Sequence, residues 1–156
     1  MKRSAAAFAA AALLTLVAAA GSGADQGPPF HTVTGSGIFP YSLGDVPISV
    51  SARETPDGPE GFFTVQEPDG NFGVEVGCLS VSGDTAVVGG EIVTGPALYI
   101  GAGYLLLVVD NGVPASGTPD TVQIARVPEP PDPSFQCGLG GGEPSAGGNF
   151  TVHDAP

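Results

Sequence analysis

Phe72-Gly73-Val74-Glu75-Val76-Gly77-Cys78-Leu79-Ser80-Val81-Ser82-Gly83-Asp84-Thr85-Ala86-Val87-Val88-Gly89-Gly90-Glu91-Ile92-Val93 carries the pattern that governs the architecture. Phe72, Val74, Val76 and Cys78 alternate with Gly73, Glu75 and Gly77, and a period of two sends successive side chains to opposite faces of a strand. Leu79 and Val81 then occupy the other parity, a slip that marks a bulge or bend near Cys78. Ser82-Gly83-Asp84 supplies turn chemistry before Ala86, Val88, Gly90 and Ile92 resume the alternation. Residues 72–93 therefore read as a β-hairpin.

The same period extends outward from this hairpin. Upstream, Val46, Ile48, Val50 and Ala52 alternate with Pro47, Ser49, Ser51 and Arg53, and Phe63 and Val65 alternate with Phe62, Thr64 and Gln66. Pro56-Asp57-Gly58 and Pro68-Asp69-Gly70 are twin turns flanking that second strand. Downstream, Gly95-Pro96 interrupts the chain, and 98–109 is an almost wholly apolar run that predicts a buried strand. Asp110-Asn111-Gly112 is a turn, and 121–127 is a strand with Val122 and Ile124 inward. Asn149 to His153 is a last short strand, and Thr32 to Phe39 a first one. About eight short strands with hairpin-sized links and no crossover helices predict an antiparallel all-β fold. An even-numbered meander brings its first and last strands antiparallel, which predicts a small β-barrel, with a two-sheet β-sandwich as the alternative.

The N-terminus has a different character. Met1-Lys2-Arg3 is a basic start, Ser4 to Ala20 an Ala/Leu-rich run, and Ser22-Gly23-Ala24 a set of small residues, the three parts of an export signal. The apolar run is too short and Ala-rich for a membrane span. Residues 1–24 read as a signal peptide, with cutting after Ala20 as the alternative, and 25–30 as an N-terminal extension. Residues 31–156 form a single β domain with a Pro/Gly-rich loop at 128–148. The expected location is secreted and extracellular, with no transmembrane segment in the mature chain.

Loss of Lys2 and Arg3 with the signal leaves Arg53 and Arg126 against 16 acidic residues, a formal charge of −14. A nucleic-acid partner is excluded, because phosphate binding needs a basic face, and docking on anionic lipid is disfavoured. Cys78 and Cys137 make an even count in an exported chain, which favours a disulfide. It would close a loop of roughly 60 residues and contribute on the order of 4 kcal/mol by the chain-entropy argument. A zinc site is disfavoured, with two thiols in no Cys-x-x-Cys spacing and two histidines.

An ordered set of segments carries a resemblance. It comprises Val33-Thr34-Gly35-Ser36-Gly37, the run from Cys78 to Gly90, Val108-Val109-Asp110-Asn111-Gly112 with Pro119-Asp120, and Gly147 to Ala155. Together they resemble the uncharacterised small secreted all-β proteins of high-GC actinobacteria, and are similar to the β domain appended to choice-of-anchor-type surface proteins. The resemblance implies secretion and an all-β fold and transfers no catalytic residues.

Candidate chemistry is sparse. His31 and His153 become neighbours if the terminal strands pair, though strand-end residues explain them as well. No Gly-x-Ser-x-Gly elbow exists for a serine hydrolase. Glu75 and Glu91 face each other across the predicted hairpin, as paired carboxylates of a glycosidase would, and equally as a solvated sheet face does. Asp110, Asn111 and Asp120, with Asp57, Glu60, Asp69 and Asn71, put oxygen donors on tight loops where calcium binds. The same residues favour turns on their own account. Asn149-Phe150-Thr151 fits the glycosylation pattern, and no phosphate-cradling loop is present. The sequence thus points to a secreted non-enzymatic β domain without cofactor. As an interaction or structural module it would partner an extracellular protein or envelope component. The alternatives are a lipocalin-like carrier of a small apolar ligand, lined by Phe39, Phe63, Phe72, Tyr104 and Leu106, and a secreted hydrolase.

Overall fold

Each strand turns back beside its predecessor, and the last returns to the first. A computed structural model describes residues 30–112, 117–130, 137–138 and 145–155. Its strands are β1 (Thr32–Tyr41), β2 (Gly44–Thr55), β3 (Gly58–Glu67), β4 (Gly70–Ser82), β5 (Thr85–Thr94), β6 (Gly103–Val109), β7 (Asp120–Val127) and β8 (Ser145–His153). All neighbours pair antiparallel in the order β1 to β8 and close into a barrel. Closure runs from Thr32↔His153 to Gly37↔Gly148 between β1 and β8. The sandwich alternative is thereby set aside. The segment read as a signal peptide, most of the segment read as an extension and most of the 128–148 loop lie outside the described residues. Among the described residues no helix is long and apolar enough to cross a membrane.

Alternation fills the interior. Val46, Ile48, Val50 and Ala52 of β2 are all buried, whereas Pro47, Ser49, Ser51 and Arg53 are exposed. Eight strands enclose just enough room for side chains, and here Phe63, Phe72, Tyr104, Leu106 and Phe150 occupy it with the valines of every face. Tyr104 is the hub, with the Phe63 ring edge-on at 6.1 Å and the Phe72 ring tilted at 5.9 Å. Phe150 crosses the closure line over Gly35 and Gly37. A Cβ at Gly35 would stand 2.4 Å from the Asn149 carbonyl and 2.8 Å from the Phe150 ring. Gly35 also holds φ +147°, a conformation that side chains resist. The residues that close the barrel are small because the ring beside them is large.

Three local readings are corrected. The bulge expected near Cys78 is present, and the first correction is the face given to Cys78: the ladder shifts between Val76 and Cys78, leaving Gly77 without a register partner. Leu79 then pairs with the core residue Val88 and packs inward, so Cys78 moves to the outer face opposite Gly89. There Cys137 joins it in a disulfide, with 5.9 Å between Cα atoms. Leu105, on the same outer rung through Gly89↔Leu105, is also buried. The second correction concerns 98–109, which is not one strand. Pro96 starts a 3₁₀ turn at Ala97–Tyr99, and Gly101 at φ +85° redirects the chain before β6. Leu98 and Ile100 are exposed as a result. Third, β8 begins at Ser145, so pairing extends four residues into the segment read as loop.

Because the disulfide fastens the distal segment to the outside of a barrel that is otherwise complete, removing it should weaken the fold without changing it. Joint replacement of Cys78 and Cys137 by alanine is expected to cost about 2–5 kcal/mol in denaturant unfolding, with an unchanged β-type far-UV spectrum.

Candidate functional site

The polar side chains with the most chemistry gather at the two ends of the barrel. The β7–β8 seam reaches one of them. It is short, with Asp120↔Gly148, Thr121↔Ala146 and Val122↔Ser145 as its register pairs among the described residues and a shift after Asp120. Beyond it, the backbone N–H groups of β8 that would face a β7 partner have none in the ladder. Buried N–H groups must be satisfied, and carboxylates do this here. Asp120, 2 % exposed, accepts the Phe150 N–H on Oδ2 and the Asn111 N–H on Oδ1 at 2.8 Å. Asp110 accepts the Val152 N–H on Oδ2 at 3.1 Å and the Gly112 N–H on Oδ1 at 2.8 Å. The Asn111 Nδ2 donates to the Pro119 carbonyl at 2.8 Å. The calcium candidates Asp110, Asn111 and Asp120 are therefore brought together, with the oxygens of Asp110 and Asp120 directed at backbone donors. They act as a splice across the seam.

The same end holds a clasp between the chain's first and last described residues. His31 lies 3.1 Å from Asp154 through Nδ1 and 3.5 Å from Glu54 through Nε2. Its Nδ1 also accepts the Ala155 N–H at 3.0 Å, and Asp154 Oδ2 accepts the Gly83 N–H at 2.7 Å. His153 stands opposite Thr32 in the closing ladder, one residue from His31. Strand pairing thus places the two histidines on adjacent positions, while His31 contacts the Asp154 and Glu54 carboxylates and the Ala155 backbone. Among the described residues no group of three or more His, Cys, Asp or Glu is arranged to hold a metal ion.

The opposite end is stoppered by Arg126, which the sequence reading used only as a charge. Its guanidinium lies over the Tyr99 ring at 4.5 Å and the Phe72 ring at 5.2 Å. It pairs with Glu67 at 2.9 Å and Asp69 at 3.0 Å. The Tyr104 hydroxyl donates to Glu67. Burial, then the Glu67 hydrogen bond and charge, push the Tyr104 hydroxyl well above its ordinary range. Arg126 is held more firmly protonated than usual. Its desolvation acts the other way, but the charge of Glu67 and the hydrogen bonds to Asp69 and Tyr99 outweigh it. For Asp69, desolvation pushes the carboxyl up, and Arg126 pulls it below its usual range by hydrogen bond and charge. A lone cation sandwiched by rings and carboxylates gives no periodic signal, so sequence had no means of finding it.

Glu75 and Glu91 are register partners, as the hairpin reading required, and both are exposed. The carrier residues Phe63, Phe72, Tyr104 and Leu106 line the interior and fill it, with Phe39 partly buried against them. Open grooves lie on the outside. One of 370 Å³ is lined by Thr32, Thr34, Ser51, Arg53 and Glu60, and one of 180 Å³ by Phe62, Thr64, Gln66, Asn71 and Thr94. Asp57, Glu60, Asp69 and Asn71 sit on or beside these turns and strands: Glu60 pairs with Arg53, Asp69 with Arg126.

Fold and site together define a closed, disulfide-bonded eight-stranded antiparallel β-barrel with a filled interior. In comparison with known proteins, the chain matches no family model, no curated protein and no solved structure.

Three outcomes follow from these ends. Asp120→Asn sets an amide NH₂ against a backbone donor and should cost about 2–4 kcal/mol in urea unfolding, while Asp57→Asn on an exposed turn should stay within about 0.5 kcal/mol. Calcium should not raise the melting temperature, since the seam oxygens already accept backbone bonds. Asp69 is more acidic folded than unfolded, so its contribution is complete above the unfolded carboxyl range and is lost as pH falls through its own lower value. The urea midpoint should therefore drop below about pH 4, and Arg126→Met should flatten that part of the profile.

Proposed function

We propose that this chain is a secreted, non-enzymatic β module that acts outside the cell or at its envelope, making its contacts through the outer surface of the barrel. The filled interior carries this reading: the rings that would line a ligand chamber contact one another around Tyr104 instead. The titratable groups brought together at the two ends support it, because they are engaged in the splice, the clasp and the stopper. The basic-apolar-small N-terminal sequence and the disulfide fit an export route into an oxidising compartment. The acidity of the mature chain fits a protein that stays soluble and repels copies of itself.

Expression of the full chain in an exporting bacterial host tests this. The expected product is extracellular, begins at or near Asp25, and is lighter than the free-thiol form by two hydrogens. It should give no fluorescence gain with an apolar naphthylamine probe. Retention inside the cell with an intact N-terminus would overturn the secretion reading, and saturable probe uptake would replace the module by the carrier.

A further inference from the structure

The outer face of β8, β1, β2 and β3 differs from the rest of the molecule. Register places Thr151, Thr34, Ser51 and Phe62 side by side on one rung, and Asn149, Ser36, Ser49 and Thr64 on the next. Strands about 4.8 Å apart make each rung about 14 Å wide, with about 7 Å between rungs. Ser49 and Thr64 hydrogen-bond each other at 2.7 Å. The hydroxyls of Thr34, Ser36, Ser51 and Thr151 have no hydrogen-bond partner among the described residues and are exposed. Small side chains keep this face low, and one ring stands on it. Phe62 is 42 % exposed, and it lies over Gly73, where a Cβ would meet the ring at 2.5 Å. The glycine holds an exposed aromatic surface in a fixed place, which removes part of the ordering cost of binding. The ring lines the 180 Å³ groove, and the 370 Å³ groove includes its rung neighbours Ser51 and Thr34.

We propose that this face binds a neutral, hydroxyl-rich polysaccharide, with Phe62 as the stacking platform and the two hydroxyl rungs as its polar partners. The inference rests on the surface-module reading and gives that module its ligand class. Charge selects the occupant. Arg53 and Glu60, at the margin, neutralise each other. The two rungs carry no acidic side chain from β8 to β3, in a chain whose mature net charge is −14; the first continues from Phe62 to Glu75, an exposed carboxylate that can accept from a ligand hydroxyl. An anionic polymer is repelled by the chain as a whole, and a cationic one would be drawn to the acidic ends. A protein partner needs a cluster of buried apolar anchors, and the two rungs offer one ring, with the exposed Ile38 a rung beyond Ser36. A neutral glycan matches both features, with C–H faces for the ring and hydroxyls for hydroxyls.

The test is depletion of the processed, disulfide-bonded protein from solution by insoluble cellulose, chitin, mannan and β-1,3-glucan, with polygalacturonate as the anionic contrast. At least one neutral polymer should bind, equally at low and high salt. Phe62→Ala should weaken that binding about tenfold, and Ser51→Arg, bulky but at an exposed position, should abolish it. Thermal melts should show both variants folded. Failure of every neutral polymer to bind, or binding undiminished in both folded variants, would overturn the proposal. Retention of the protein on cell envelopes despite that result would leave the module reading standing on another face. Uptake of an apolar probe into the barrel would remove both.

Discussion

A β-sheet has two edges, and each edge is a row of unpaired backbone donors and acceptors that invites other strands. This chain removes both by pairing β1 with β8, and everything else in the molecule depends on that closure. Closure gives the period-two pattern a common interior, so that valines from opposite walls meet around Tyr104. The cost falls on small residues. Gly35 and Gly37 face Phe150 without side chains of their own, and the ring fills the volume they leave. Closure and core are the same constraint seen from two directions.

The ring of strands is not equally strong all the way round. The β7–β8 seam has few ladder pairs, and the N–H groups it leaves over would be costly if buried unpaired. Asp110 and Asp120 stand in for a missing strand by presenting carboxylate oxygens where carbonyls would be. Hydrogen bonds to a charged acceptor are stronger than neutral ones, so two side chains can hold what a ladder would have held. The disulfide adds a second tie in the same part of the chain, joining β4 to the segment between β7 and β8. Both devices secure the last part of the chain to a barrel that the earlier hairpins already shape.

What was legible in the sequence was local. Alternation in 46–53 and 72–93 gave strands and their inward faces, and the odd parity of Leu79 and Val81 announced the bulge. The direction of Cys78 was not legible, because a one-residue shift in the bulge moves a side chain to the other face. Leu98 to Ala102 misled by composition: the run is apolar throughout, yet Pro96 and Gly101 impose a turn and leave Leu98 and Ile100 outside. The site at Asp110, Asn111 and Asp120 was identified by residue type. Its partners Phe150 and Val152 are remote in sequence, so the oxygens could not be known to be occupied. Arg126 was invisible for the same reason, since its rings and carboxylates come from β3, β4 and the turn after β5.

The acidic residues are not spread evenly, and their placement separates structural from available chemistry. Glu67 and Asp69 hold the stopper at one end, and Asp110, Asp120 and Asp154 hold the splice and clasp at the other. Groups that accept two backbone or cationic partners have little left to offer a substrate, because a ligand must first displace bonds that the fold requires. The hydroxyls of Thr34, Ser36, Ser51 and Thr151 are in the reverse position. They contribute no bond to the fold, they are exposed, and water already satisfies them, so replacing that water by a ligand hydroxyl costs little. Such exchange is nearly neutral in energy, which leaves the decisive contribution to the fixed ring of Phe62 and the area it covers. The availability of this flank follows from the burden carried by the ends.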